Sequence, residues 1–480
     1  MVRLPNPVRF VLLAVGQALA HAGLISGERV RRTTDLAWPR IVTGLARMSK
    51  SAVDVALVGL AVGPVAIAGV GFASPYWGLA FTLGGGIAGG TIALVSQRYG
   101  AEAFDELGQA VRASTALVVA ISLPVAAAFW LFPAELVGVM TNDLREIELG
   151  AAYLEVLALG VPFAGLNLVG SRVYIGADDA WTPMVVRGGG AVANIAFSAI
   201  LIFGLGLGVT GAAVGTVLSN VLVTATFVGG LVAGRLPGVG ELPVQIDPFG
   251  SYLDRATLAD LVRIGAPVVG RNGVWTLAKF PMLAIVGLFG SSVVAAYVIA
   301  RRILGLMNTP GWGFGLASSS LVGQELGDGD EREAEAYGRD IVRFSIATYV
   351  LAALVVAIFA KPIVHLFVGD PSDPSVPVAV ALVYAACVAV IPQAVKAAAA
   401  GPLDASGDTR WPFYSQALGM FGAAIPVAYL GATTSLGLAG LYLSFLAESS
   451  IPAAINYYRF STGKWKAISR EFLPGTPADD

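Results

Sequence analysis

Charge is what this sequence has least of. Asp, Glu, Lys and Arg together make up 13% of its 480 residues, where soluble domains carry about 25%. Beside a hydrophobic share of 56%, that scarcity excludes an ordinary soluble protein and points to a polytopic membrane protein. Cysteine occurs once, at Cys387, which excludes a disulfide framework and a thiolate metal site. The two histidines, His21 and His365, lie too far apart in sequence for a histidine-based metal cluster. Lysine is outnumbered by arginine, 6 to 24, which reads as compositional bias. The net charge of −2 says nothing about partners. No nucleic-acid partner is expected. No Walker sequence is present, so ATP is not the expected energy source.

What is present is a series of apolar stretches. A span needs about 20 mostly apolar residues, and twelve stretches qualify, near 39–62, 70–97, 113–138, 148–170, 184–204, 209–233, 259–289, 292–323, 340–360, 376–400, 413–432 and 436–457. The expectation is an all-α membrane protein. Cations crowd alternate loops: Arg29, Arg31 and Arg32 before the first span, Arg98 and Arg112 after the second, and Arg459, Lys464, Lys466 and Arg470 in the tail. Positive residues stay inside, so both termini are expected on the cytoplasmic side of the plasma membrane. Residues 9–26 have some features of a signal peptide, including the small-residue site Ala18-Leu19-Ala20. Cleavage would force the cluster Glu28–Arg32 across the membrane, so an interfacial helix on the inner leaflet is expected instead.

The chain repeats itself. Asp179–Pro183 (DAWTP) recurs as Asp408–Pro412 (DTRWP), and Leu207-Gly208-x-x-Gly211 as Leu436-Gly437-x-x-Gly440, each shifted by 229. Gln97-x-x-Gly100 recurs as Gln324-x-x-Gly327, shifted by 227. An even number of spans per half makes this a parallel repeat, typical of transporters with two lobes. The expected organisation is a cytoplasmic interfacial segment (1–34), an N-lobe of six spans (35–234), a cytoplasmic linker (235–258), a C-lobe of six spans (259–460) and a cytoplasmic tail (461–480). Twelve transmembrane helices in two pseudo-symmetric six-helix lobes suit alternating access better than a channel.

One carboxylate, Asp54, falls inside the first span. At about 100° per residue, Arg40, Arg47, Lys50 and Asp54 share a stripe roughly 80° wide. An ionised group near the bilayer centre costs about 2.5–3.5 kcal/mol on insertion scales, so it normally faces a bundle interior or a watery cavity. Shifted by 228, Asp54 maps onto Met282, an apolar counterpart.

These signatures resemble the multidrug and toxic compound extrusion (MATE) family, in particular its DinF-like branch. The residues that carry the resemblance are Asp54 with Val58-Gly59, Gln97-x-x-Gly100, Pro183, Leu207-Gly208-x-x-Gly211-Ala-Ala and Gly407-Asp408-Thr409, over essentially all of 35–460. The resemblance implies cation-driven export of amphipathic or cationic organic compounds, in exchange for H⁺ or Na⁺. It also implies an ion site at Asp54, Asn194, Ser198 and Thr216, and a helix-bending role for Pro39. Shifted by 229, Asn194, Ser198 and Thr216 map onto Ala423, Val427 and Phe445, all apolar like Met282, which favours a dedicated N-lobe ion site over packing. Ser198 stands where the branch often has a second carboxylate. Asp54, Asn194 and Thr216 could still hold Na⁺, or Lys50 could take the cation's place, with Arg47 as a second modulating cation; H⁺ is favoured. The alternative function is a lipid-linked oligosaccharide or other anionic-lipid flippase of the same superfamily. A membrane-embedded enzyme would need a nucleophile–base or metal cluster at one depth, and none is found.

Further groups are Lys279 and Glu448 in the C-lobe, read as a pair across the cavity or as a second coupling or substrate group, and Lys396, expected to snorkel to the interface. Glu155 is a candidate partner for Arg172. Asp178, Asp179, Asp404 and Asp408 read as helix caps. No cofactor is expected; the partners are a small organic substrate and membrane lipid, and the protein is expected to be a monomer.

Overall fold

The computed structural model describes residues 6–367 and 372–473, so the expected tail is covered only as far as residue 473. Helices account for nearly all of it. Apart from them there is one two-stranded antiparallel sheet, in which Arg235 pairs with Glu241 and Leu236 with Gly240, inside the expected 235–258 linker.

Each of the twelve expected spans corresponds to a helix or an adjoining pair of helices. Eight are long and apolar enough to cross a membrane by length and composition, among them Trp181–Gly204, Gly208–Ala233, Ser375–Ala405 and Leu438–Ser461. A ninth is the pair Leu144–Ala158 and Val161–Gly176, bent by 52° where Leu159 and Gly160 interrupt it. The expected first span lies in the 36-residue helix Gly27–Val62. It fails the apolarity test through its charges, as its polar stripe requires. That helix stops at Gly63, whose φ of 104° only glycine adopts freely. Pro64 then opens the next helix, which runs to Gly100.

By contacts the described residues form two compact units, one of residues up to Ile41 together with those from Gly270 onward, the other Val42–Val269. Their limits differ from the expected lobe boundaries at 35 and 259, because both fall inside helices, Gly27–Val62 and Arg255–Leu277.

In the unit containing Val42–Val269, one apolar core gathers Leu107, Val173, Tyr174 and Phe227. A second joins Val58 of the first long helix to Val70, Ile202, Val209 and Ala212. This second core fixes the end of that helix one turn beyond Asp54. Helices Trp181–Ala199 and Gly208–Ala233 approach closely because glycines line the seam. A Cβ on Gly215 would lie 2.5 Å from Ser198 Oγ and 2.8 Å from its backbone nitrogen, and one on Gly211 would lie 3.0 Å from the Leu201 carbonyl carbon. Such small-residue seams are how membrane helices come into contact.

In the unit containing Gly270–Thr476, a single large core runs from Met282 and Tyr297 through Leu382 and Val390 to Phe445. Residues 6–41 are part of this unit. Residues 27–34 belong to the first long helix. The preceding helix, Pro7–His21, buries Leu12 and Gly16, and a Cβ on Gly16 would meet Val30 and Phe344. Its basic neighbours have protein partners. Arg9 pairs with Asp35, Arg29 with Glu333 and Asp340 at 2.7 and 2.8 Å, and Arg32 with Glu325 at 3.0 Å. Carboxylates of the same unit thus hold Arg9, Arg29 and Arg32. Glu333 lifts the already high pKa of Arg29 by accepting its hydrogen bonds.

Candidate functional site

Within the Val42–Val269 unit, three of the four ion-site residues meet. Lys50 and Asp54 stand one turn apart, and Lys50 Nζ lies 3.2 Å from Asp54 Oδ2, with both side chains less than a quarter exposed. One end of the Asn194 amide lies 2.9 and 3.2 Å from the two Asp54 oxygens, and the other end lies 3.1 Å from Thr216 Oγ1. With its nitrogen toward Asp54, the amide donates to the carboxylate and its oxygen accepts from the Thr216 hydroxyl. This orientation is assigned from the hydrogen-bond network, since it alone gives both ends a partner. Three helices are thereby tied at one carboxylate: Gly27–Val62, Trp181–Ala199 and Gly208–Ala233.

The fourth expected residue, Ser198, does not join them. It is fully buried in the seam against Gly215, and its hydroxyl has no partner among the described residues. The charged stripe also divides. Arg47 lies 5.4 Å from the Phe81 ring centroid, with no ion pair to Asp54. Arg40 belongs to the other unit, over the Trp312 ring at 5.9 Å. Pro39 sits inside a continuous helix.

Four residues of the network are additions to the sequence reading. Tyr153 hydrogen-bonds Thr216 and lies close enough to Asp54 to interact with its charge. The Thr216 carbonyl accepts from the Asn220 amide at 2.8 Å. Asn220 Oδ1 accepts from Asn167 at 2.9 Å, and Asn167 Oδ1 from Thr224 at 2.8 Å. The spacing of Thr216, Asn220 and Thr224, four residues each, places them on one face and was the available signal.

The chemistry of the first shell is specific. Lys50 and Asn194 both offer N–H donors to Asp54, and the one amide oxygen nearby points to Thr216. In this structure the groups facing the Asp54 carboxylate are thus an ammonium and an amide N–H, both donors.

The MatE family profile matches residues 39–200 and 267–430, one stretch in each half of the repeat. The chain belongs to the MatE family. It is therefore a membrane transporter and not an enzyme. Among its relatives is the probable multidrug resistance protein YoeA of Bacillus subtilis, 24% identical over 90% of this chain and 94% of that one. Another is the multidrug resistance protein PmpM of Pseudomonas aeruginosa, 26% identical over 87% and 86%. Among solved structures, the MOP superfamily transporter from Pyrococcus furiosus superposes with a TM-score of 0.83, at 20% identity, over 97% of this chain and 99% of that one. A MATE structure in complex with MaL6 gives 0.82 at 21%, over 92% and 97%. These likenesses show the fold, the twelve-helix MATE arrangement that the repeat predicts.

The other half of this MatE protein contains a second polar group, and here two expectations are corrected. Glu448 does not pair with Lys279. It holds Arg301 through two hydrogen-bonded contacts, Nη1–Oε1 at 3.0 Å and Nη2–Oε2 at 2.7 Å. The guanidinium outcompetes an ammonium for a carboxylate because it bonds both oxygens at once. Lys279 instead sits over the Trp275 ring, 3.7 Å from its centroid. Lys396 does not snorkel; it lines a cavity with these residues. Elsewhere, Asp179 caps its helix by accepting from Thr182 N–H at 2.9 Å. Asp404 and Asp408, expected as caps, pair with Arg271 and Arg459 at 3.0 and 2.6 Å. No ion pair joins Glu155 to Arg172 among the described residues; Arg172 and Arg187 each bury an unpartnered Nη1.

Proposed function

We propose that this MatE protein is a secondary active transporter that exports amphipathic organic compounds by alternating access, coupled to H⁺ at Asp54. The observation that carries this reading is the Asp54 carboxylate, held by Lys50 on its own helix and by Asn194 on another. Protonation removes the charge that both donors address. It frees Lys50 from its ion pair and weakens the link between helices Gly27–Val62 and Trp181–Ala199. A proton at one oxygen thus becomes a change in helix contacts, as coupling requires. Export of drug-like compounds is supported by the names of the relatives, YoeA and PmpM among them. The Asp54–Asn194–Thr216 grouping supports a place in the DinF-like branch. The cationic loops support cytoplasmic termini.

Efflux from proteoliposomes under separately imposed pH and Na⁺ gradients tests the ion. A pH gradient alone should drive export, and Asp54→Asn should abolish it with expression intact. Export driven equally by Na⁺ alone, or undiminished in Asp54→Asn, would overturn the reading.

A further inference from the structure

The cavity in the Gly270–Thr476 unit measures about 350 Å³, within the usual range for small-molecule sites. Its charge is one-sided. Four cations line it, Lys279, Arg301, Arg302 and Lys396, against a single carboxylate, Glu448, a formal charge of +3. That carboxylate is already engaged. Arg301 holds both its oxygens, and Trp275 hydrogen-bonds to it as well. Tyr297 closes the fourth side by accepting from Arg301 Nε at 2.8 Å. Lys279, Arg302 and Lys396 are left without a carboxylate within 4.0 Å among the described residues.

The rest of the wall is apolar, with Met282 and Phe445 in it. These are the positions that the repeat pairs with Asp54 and Thr216. One half of the duplication carries a carboxylate at its polar centre, whereas the other has lost it and gathered cations. Uncompensated cations in a membrane-embedded wall repel an organic cation and call for an anion. The apolar wall beside them suits a hydrophobic body.

We propose that this cavity binds an anionic amphiphile, with its phosphate, sulfate or carboxylate head between Lys279 and Lys396 and its apolar body against Met282 and Phe445. This names a substrate class for the exporter proposed above and rests on that reading. The head can belong to a membrane lipid or to a water-soluble amphiphile; the chemistry of recognition is the same.

The test is equilibrium binding to the full-length protein in a neutral maltoside detergent, with dodecyl phosphate as probe and dodecyltrimethylammonium as its cationic match. No ion gradient is present, so the result is independent of coupling at Asp54, which efflux measures separately. Dodecyl phosphate should bind at least about tenfold more tightly than the ammonium. Lys396→Gln should weaken it by about tenfold and Lys396→Arg should restore it. Lys279→Gln, at an exposed side chain, guards against a folding defect at Lys396 and should also weaken binding. Equal or tighter binding of the ammonium, or unchanged affinity in both glutamine variants, overturns the proposal. Repeating the titration in phosphatidylcholine and phosphatidylglycerol nanodiscs separates the sources. Competition by phosphatidylglycerol assigns a lipid head, and undiminished binding assigns a soluble amphiphile; either supports an anion site.

Discussion

Replacing Gly215 with alanine tests whether helix spacing sets the Asp54 site. The added Cβ would lie 2.5 Å from Ser198 Oγ, 2.8 Å from Ser198 N and 3.0 Å from Ser198 Cα. The hydroxyl can rotate away, but the backbone atoms cannot. Carbon contacts are comfortable near 3.5–4.0 Å, so helices Trp181–Ala199 and Gly208–Ala233 must part by about 0.5–1 Å. The Asn194–Thr216 hydrogen bond, now 3.1 Å long, crosses the same seam one turn away. An added separation of about 0.5–1 Å takes it past the range of a hydrogen bond. Overpacking costs about 1–3 kcal/mol, and the lost interhelical bond about 0.6 kcal/mol more. Gly229 is on the same helix with nothing within 4 Å of its Cβ position, so Gly229→Ala is the control. Thermal unfolding in detergent should show Gly215→Ala destabilised by about 2–3 kcal/mol relative to Gly229→Ala, and its proton-driven efflux should fall. If the two variants unfold and transport alike, the seam does not set the site and the reasoning fails.

Lys50→Met should create a Na⁺-dependent thermal stabilisation absent from the parent protein, because Asp54 then lacks its resident cation; a variant indifferent to Na⁺ would count against Lys50 in that role. Arg29→Met should lower stability by about 1–3 kcal/mol, the cost of removing the shortest bond to a buried carboxylate, since Asp340 is only 7% exposed and keeps just Ser26 N–H at 3.2 Å and Arg343 at 3.7 Å; a melting temperature within a degree of the parent would refute it. The Thr257 backbone N–H, 2.8 Å away, holds the Asp254 carboxyl below its ordinary range. A depressed carboxyl stabilises above its unfolded pKa of about 3.9 and loses that contribution only as pH falls through the lower folded value. Asp254→Ala should therefore lower the melting temperature equally at pH 6 and pH 8; a deficit that appears at only one of these values would contradict the assignment.

The sequence made Asp54 conspicuous because an ionisable group in an apolar span is costly, and cost is visible one residue at a time. Lys50 was visible for the same reason, one turn away on the same helix. Asn194 and Thr216 come from resemblance alone, and their apolar counterparts in the repeat agree with it. Asn167 and Tyr153 are not legible, because neutral polar residues are cheap enough to be scattered and their partners Asn220, Thr224 and Thr216 lie more than 50 residues away. Arg301 was missed for a different reason. Its carboxylate is 147 residues away, and the competition between Arg301 and Lys279 for Glu448 is settled by fork geometry, which no local pattern records. The ion pairs of Arg9, Arg29 and Arg32 are not legible in sequence, because basic clusters near a membrane look the same whatever their partners are.

Lys50 and Asp54 lie on one helix, and that has a bearing on biogenesis and on motion alike. The pair is complete as soon as that helix forms, before any other span has been made. It can enter the membrane as a neutral dipole rather than as two ions awaiting partners. It also travels as a passenger of its helix: rigid-body movement cannot pull it apart. The link to Asn194 is the opposite, since it exists only between helices. Motion alone can sever the second contact and never the first, so opening the ion pair is left to a proton.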